Sequence, residues 1–152
     1  MAPTEPGPID RFEAQQSVLA LIHRYSRLVD RGDFDAIGEL FARGTYRFGP
    51  GKDLTGPAVG EKLRSRLRLY DDGTPRTVHV NANVDVTFHE GLTRAEAWTP
   101  TQVFQVVDGE IRCIYLGHYN DTFETDGTEW YFTSRTSTAE LVGDMSAHMV
   151  RR

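Results

Sequence analysis

Three side chains in this sequence have the types and the settings for acid–base chemistry: Tyr25, Asp30 and His79. Tyr25 belongs to a stripe at helical spacing, Ala14, Val18, Leu21, Ile22, Tyr25, Leu28 and Val29, so its phenol enters a core. Asp30 sits at the carboxyl end of the same run, close to the Gly32 that stops it, where its charge opposes the helix dipole. That small penalty favours a role for it. His79 is followed on the same face of a strand by Asn81 and Asn83, neighbours able to hold an imidazole in one tautomer for proton transfer near neutral pH. Each residue also has a plainer reading: a core tyrosine with its hydroxyl at the rim, a turn acid, and an exposed or satisfied sheet histidine. Periodicity leaves both readings open, because either parity of the strand fits the inner face.

Other polar residues narrow the choices. Arg135, beside Phe132 and Thr136 in a late strand, is costly in a core unless it meets an acid or an anionic substrate, and Asp121 and Asp30 are the acids in view. His89, His118 and His148 are read as ordinary structural histidines. No histidine pair at i, i+4 and no cysteine set has metal-site spacing, so no metal and no cofactor is expected. A Gly-rich phosphate loop and a G-x-S-x-G elbow are both missing, which weighs against nucleotide binding and serine-hydrolase chemistry. The basic run Lys62, Arg64, Arg66, Arg68 reads as a solvated helix face, with recruitment of an anionic substrate as the lesser alternative.

These residues need elements to position them. Asp10 and Glu13 have the form of a capping box ahead of the long stripe, and Arg31-Gly32-Asp33 turns the chain into a short helix carrying Phe34, Ile37, Leu40 and Phe41. Thr45 to Phe48 alternates like a strand, and about Pro57 to Tyr70 reads as a third helix. From Arg76 the period becomes two: one long strand to His89, a second over 93–107, a third over 110–124 after Asp108-Gly109, and a fourth over 130–136 after Asp126-Gly127. Helices followed by an antiparallel meander give an α+β class.

At 152 residues the chain is expected to form one domain, over 9–142, with a flexible arm at 1–8 and a tail at 143–152. The net charge of -5 supplies no basic field, so nucleic acid is not an expected partner. The single cysteine, Cys113, rules out an internal disulfide and reads as a buried thiol. No signal-peptide pattern and no apolar run of membrane length is present, so no membrane partner and a cytoplasmic location are expected.

The stretch from Tyr25 to Ala42, with GDFDAIGELFA, resembles the opening helices of the SnoaL-like branch of the nuclear-transport-factor-2-like superfamily. His79 with Asn83, the run Gly117-His118-Tyr119-Asn120-Asp121 and the run Trp130-Tyr131-Phe132-Thr133-Ser134-Arg135 resemble strands of that branch, over roughly residues 9–140. The resemblance implies a cone-shaped barrel, a curved, mostly antiparallel sheet wrapped around N-terminal helices with an apolar pocket between them. It also implies a homodimer or higher homo-oligomer through the sheet's outer face. Members include scytalone dehydratase, bile-acid dehydratases, ketosteroid isomerase, limonene epoxide hydrolase and polyketide cyclases, most of which need no cofactor. Tyr25, Asp30 and His79 match the tyrosine, aspartate and histidine of the dehydratases, and Tyr46 lies where scytalone dehydratase has a further tyrosine. Gly49 stands where ketosteroid isomerase has its carboxylate, which disfavours isomerase chemistry.

The expected function is therefore a cofactor-independent dehydratase or cyclase acting on a hydrophobic cyclic or polyketide-like carbonyl compound. Tyr25, Asp30 and His79 are its expected catalytic groups. Tyr46, Asn83, Trp98, Phe104, Tyr119, Asp121, Phe123 and Arg135 are expected around the substrate. The alternatives are a non-catalytic small-molecule binding protein, the small subunit of a ring-hydroxylating oxygenase, and an epoxide hydrolase or isomerase in which Asp30 or Asp121 activates water.

Overall fold

The computed structural model describes residues 6–150. The first helix, α1, runs over Pro8–Arg31, starting two residues before the expected cap. Proline suits the first helical position because its missing N–H would be unpaired there anyway. Asp10 does cap, but from the third helical position: its Oδ2 accepts the Gly7 N–H at 2.8 Å. Most of the expected N-terminal arm lies outside the described residues. At the other end Gly32, at φ 71°, lets the chain reverse while its N–H returns to the Val29 carbonyl. Asp33 then caps α2 (Phe34–Leu40) by accepting the Ala36 N–H.

Two short strands follow, β1 (Thr45–Phe48) and β2 (Asp53–Thr55), then α3 (Pro57–Arg66), which ends four residues earlier than periodicity suggests. Val18, Ile22, Tyr25 and Val29 of α1 meet Phe34, Ile37, Val59 and Leu63 of α2 and α3 in one core. No helix of the described residues is long and apolar enough to cross a membrane.

The expected single strand at 76–89 is two strands, β3 (Thr77–Asn81) and β4 (Asp85–Phe88). Asn83 breaks it by adopting φ 53°, a left-handed conformation that asparagine tolerates better than most residues. Both pieces pair with β5 (Arg94–Val107), which pairs with β6 (Glu110–Thr125), which pairs with β7 (Trp130–Val142). Asp108 and Gly109, at φ 53° and 79°, make the tight β5–β6 hairpin. The seven-stranded sheet has the order β2-β1-β7-β6-β5-β3, with β4 beside β5 and β1 parallel to β7. It is curved but does not close, so the barrel expected from the resemblance is an open one. Register shifts at Val103/Phe104, Leu116/Gly117 and Thr122/Phe123 bend the long strands around α1.

The inner face of β5 carries Ala95, Ala97, Thr99, Thr101 and Val103, all buried, while its larger Trp98, Phe104 and Val106 face outward. Small residues inside let the helices approach. On β3 the polarity is reversed: Val78 and Val80 are exposed, and Thr77, His79 and Asn81 point toward α1. After β7 the chain does not trail away. Residues 145–150 fold back onto α3, with the Arg68 N–H donating to the His148 carbonyl, the Val150 N–H to the Arg66 carbonyl, and Met149 bridging to Leu67. Cys113 is exposed rather than buried, because the register shift beside it puts Ile114 on the inner side.

Candidate active site

The reversed polarity of β3 is answered by α1. Ser26 and Asp30, one helical turn apart, face the strand: Asn81 Nδ2 donates to Ser26 Oγ at 2.6 Å, and Thr77 Oγ1 donates to Asp30 Oδ1 at 2.8 Å. The His79 N–H donates to Asp30 Oδ2 at 2.9 Å, and His79 Nδ1 lies 2.6 Å from Asp30 Oδ1. Asp30 thus receives polar contacts from three groups that offset its position at a helix carboxyl end. A carboxylate against Nδ1 requires a hydrogen on that nitrogen. In the neutral ring Nε2 is then the lone-pair atom, on the opposite edge of the ring.

That ring borders a cavity of about 150 Å³ between sheet and helices, lined by Tyr25, Tyr46, His79, Tyr115, Tyr119 and His148 together with aliphatic side chains and Arg66. The Tyr25 hydroxyl donates to Tyr46 Oη at 3.1 Å. Burial pushes the Tyr25 phenol well above its ordinary range, the neighbouring Tyr46 and Tyr119 adding to the effect. Burial also raises Tyr46 and Tyr119, and lifts Tyr115 to about 12. All four are neutral hydrogen-bond donors at ordinary pH.

Beneath the tyrosines lies an ion pair. Arg135 Nε and Nη2 donate to the two carboxylate oxygens of Asp121, each at 2.7 Å, and both side chains are 0% exposed. The guanidinium stands 4.0 Å from the Tyr119 ring centre, 4.5 Å from that of Tyr25 and 4.8 Å from that of Phe132. Burial opposes the charge on Arg135, but Asp121 outweighs it and the guanidinium stays protonated. Burial lifts Asp121 and Arg135 pulls it back down. The cation also lowers the phenols above it, which makes them stronger donors to a developing oxyanion.

The structure therefore brings together Tyr25, Tyr46, His79 and Tyr119 at one cavity, with Asp30 behind His79 and the Asp121–Arg135 pair beneath. Phe123 lies deeper, packed on Phe132 with ring centres 4.6 Å apart. Three expected substrate contacts are elsewhere. Asn83 is exposed in the break between β3 and β4, because its left-handed backbone takes it out of the strand alternation. Trp98 is 43% exposed on the outer face, and Phe104, paired with the exposed Val78, faces the same way. Their parity is opposite to the small residues that α1 requires inside.

His148 is the residue that sequence reasoning missed. It is 5% exposed and lines the cavity, and burial, aided by His79, pushes its imidazole down to about 4. The available signal was the grouping of Met145, His148 and Met149 at spacings of three and four, which places all three on one side of a helical turn, and all three line the cavity. Among the described residues no three His, Cys, Asp or Glu side chains gather as a metal site.

Comparison with known proteins agrees with the fold. A SnoaL-like domain model matches residues 10–136. An NTF2-like protein with a cystatin-like fold from Novosphingobium aromaticivorans superposes with a TM-score of 0.70 at 25% identity, covering 91% of this chain and 89% of its own. A candidate scytalone dehydratase from the same organism gives 0.68 at 20% identity, covering 88% and 89%. The beta subunit of a candidate aromatic-ring-hydroxylating dioxygenase, again from that organism, gives 0.66 at 18%, covering 87% and 92%. No functionally curated protein matches the chain.

Proposed function

This chain belongs to the SnoaL-like domain family, and we propose that it is a cofactor-independent acid–base enzyme, a dehydratase or cyclase of a hydrophobic cyclic carbonyl compound. The observation that carries the reading is the Asp30–His79 dyad at the wall of a cavity that also holds the Tyr25–Tyr46 pair. Asp30 takes the Nδ1–H hydrogen bond and fixes the ring, so Nε2 accepts a proton from the carbon next to the substrate carbonyl. The developing enolate oxygen is met by a tyrosine hydroxyl, and the buried Arg135 charge below strengthens that donor. Proton transfer of this kind contributes about 10²- to 10⁴-fold, and one oxyanion donor about 10²- to 10³-fold. Loss of a β-hydroxyl as water, or attack of the enolate on a second carbonyl, completes the reaction.

Water activation by an acid, as in epoxide opening, has less support, since Asp121 is fully engaged by Arg135 and Asp30 by β3. A non-catalytic subunit role, and assembly of copies through the outer face, find support in the exposed Val78, Val80, Trp98, Val106 and Leu141. The test is turnover of a panel of cyclic β-hydroxy ketones, followed by enone absorbance, with wild type and H79Q. Turnover by wild type and its loss in a folded H79Q is the expected result. Equal turnover by the two refutes the assignment of the base, and copurification of an inactive chain with a larger redox protein favours the subunit.

A further inference from the structure

We propose that His148 faces the substrate as a second polar contact of the pocket, holding a hydroxyl group on the same ring as the carbonyl received by the Tyr25–Tyr46 pair. The inference rests on the acid–base reading and deepens it by naming the substrate class: a single small ring bearing a carbonyl and a β-hydroxyl.

His148 borders the same cavity as His79, is 5% exposed, and its Nδ1 is buried without a hydrogen-bond partner in the protein. Buried polar atoms are nearly always paired, so an unpaired ring nitrogen on a residue that lines the pocket points to a partner arriving with the ligand. The residue is also held in place. Its carbonyl accepts the Arg68 N–H at 2.8 Å, the carbonyl of Ala147 accepts the Tyr70 hydroxyl at 2.6 Å, and the next residue bridges to Leu67. These bonds fix the backbone on both sides, so the imidazole is presented to the cavity by a braced segment.

The chemistry of the partner follows from the state of the ring. Burial and the nearby His79 push His148 down to about 4, so it is a neutral imidazole, with one nitrogen donating and one accepting. No protein group at Nδ1 chooses the tautomer. A hydroxyl both donates and accepts, and so satisfies either tautomer, whereas a carbonyl or a carboxylate satisfies only one. The cavity, at about 150 Å³, is of the size that takes one benzene-like ring. In an elimination the C–H bond breaks and its proton passes to His79 Nε2. The electron pair forms the C=C bond, the C–O bond breaks, and the departing oxygen takes that proton from His79 as water. His148 neither gains nor loses a proton overall. Its part is to orient the departing oxygen toward His79.

The experiment uses the full chain labelled with ¹⁵N-histidine, titrated with 3-hydroxycyclohexanone and with cyclohexanone, which lacks the hydroxyl. We expect the hydroxyketone, and not the plain ketone, to move the His148 ring-nitrogen resonances. H148F should weaken the hydroxyketone about tenfold, the worth of one buried hydrogen bond, leave cyclohexanone within about twofold, and be partly rescued by H148Q. Unmoved His148 resonances in wild type, including through failure of the hydroxyketone to bind, overturn the proposal, as does equal weakening of both ketones by H148F. If His148 responds as expected but no cyclohexenone forms, the elimination reading fails and the contact stands. Equal cyclohexenone formation by wild type and H148F removes the contact and leaves the reading intact.

Discussion

Replacing Asp121 by asparagine leaves the shape of the core nearly unchanged and removes its counter-charge, which makes it a sharp test of how the centre of this protein is held. Asp121 and Arg135 share two hydrogen bonds of 2.7 Å with no exposure of either side chain. Without the carboxylate the guanidinium is a buried cation facing three aromatic rings and a neutral amide. Breaking a buried pair in this way costs about 3 to 5 kcal/mol, against about 5 to 15 kcal/mol for a whole domain. The ring faces, at 4.0 to 4.8 Å, recover part of this, so the lower end is expected. For a chain of this length the melting temperature should fall by about 10 °C. The double variant D121L/R135M, which removes both charges and keeps the volume, should lie within about 1 to 2 kcal/mol of wild type. Urea unfolding of the wild type, the single and the double variants reads all three values. A D121N cost below about 1 kcal/mol, or a double variant as unstable as the single one, refutes the argument that an uncompensated charge is the source of the loss.

Three further outcomes are expected. D30N, which cannot accept all the donors that reach Asp30, should lower kcat by about 10²-fold or more while leaving KM within about twofold, a split in steady-state kinetics that a purely structural role would not produce. His148 should make stability depend on pH. The unfolded chain takes a proton near pH 6.5 and the folded chain only near 4, so stability present above 6.5 is lost as pH falls toward 4, by about 3 kcal/mol at most. Urea midpoints of wild type should therefore fall more than those of H148F over that window. G60A should cost about 1 to 3 kcal/mol, because a Cβ there would lie 2.1 Å from the Phe34 carbonyl oxygen and force α2 and α3 apart, and a thermal melt checks it.

Local signals were enough for the helix stripe, the turn at Gly32 and the hairpin at Asp108-Gly109, since each is set by residues within a few positions of one another. The Tyr25, Asp30 and His79 grouping was legible as residue types on elements, but its geometry rests on the meeting of α1 with β3. Alternation alone cannot choose the inner face of β3, where a hydrophobic face turns outward because Ser26 and Asp30 supply polar partners within. The break at Asn83 is a backbone choice at one residue inside an otherwise regular alternation, so periodicity reads through it. Trp98 and Phe104 fall outside for a similar reason: β5 turns its smaller residues to the helices. His148 reaches the pocket only because residues 145–150 return to α3, a long-range contact with no local sign beyond the Met-His-Met grouping.

The inward hydrophilicity of β3 also says how this protein should respond to artificial selection. Thr77, His79 and Asn81 stand where aliphatic side chains would pack against α1, opposite Ser26 and Asp30. A library randomised at these five positions and screened for heat resistance alone should drift toward greasy combinations, giving sturdier molecules with an inert cavity. The same library screened for turnover should keep the polar set and stay closer to the melting threshold.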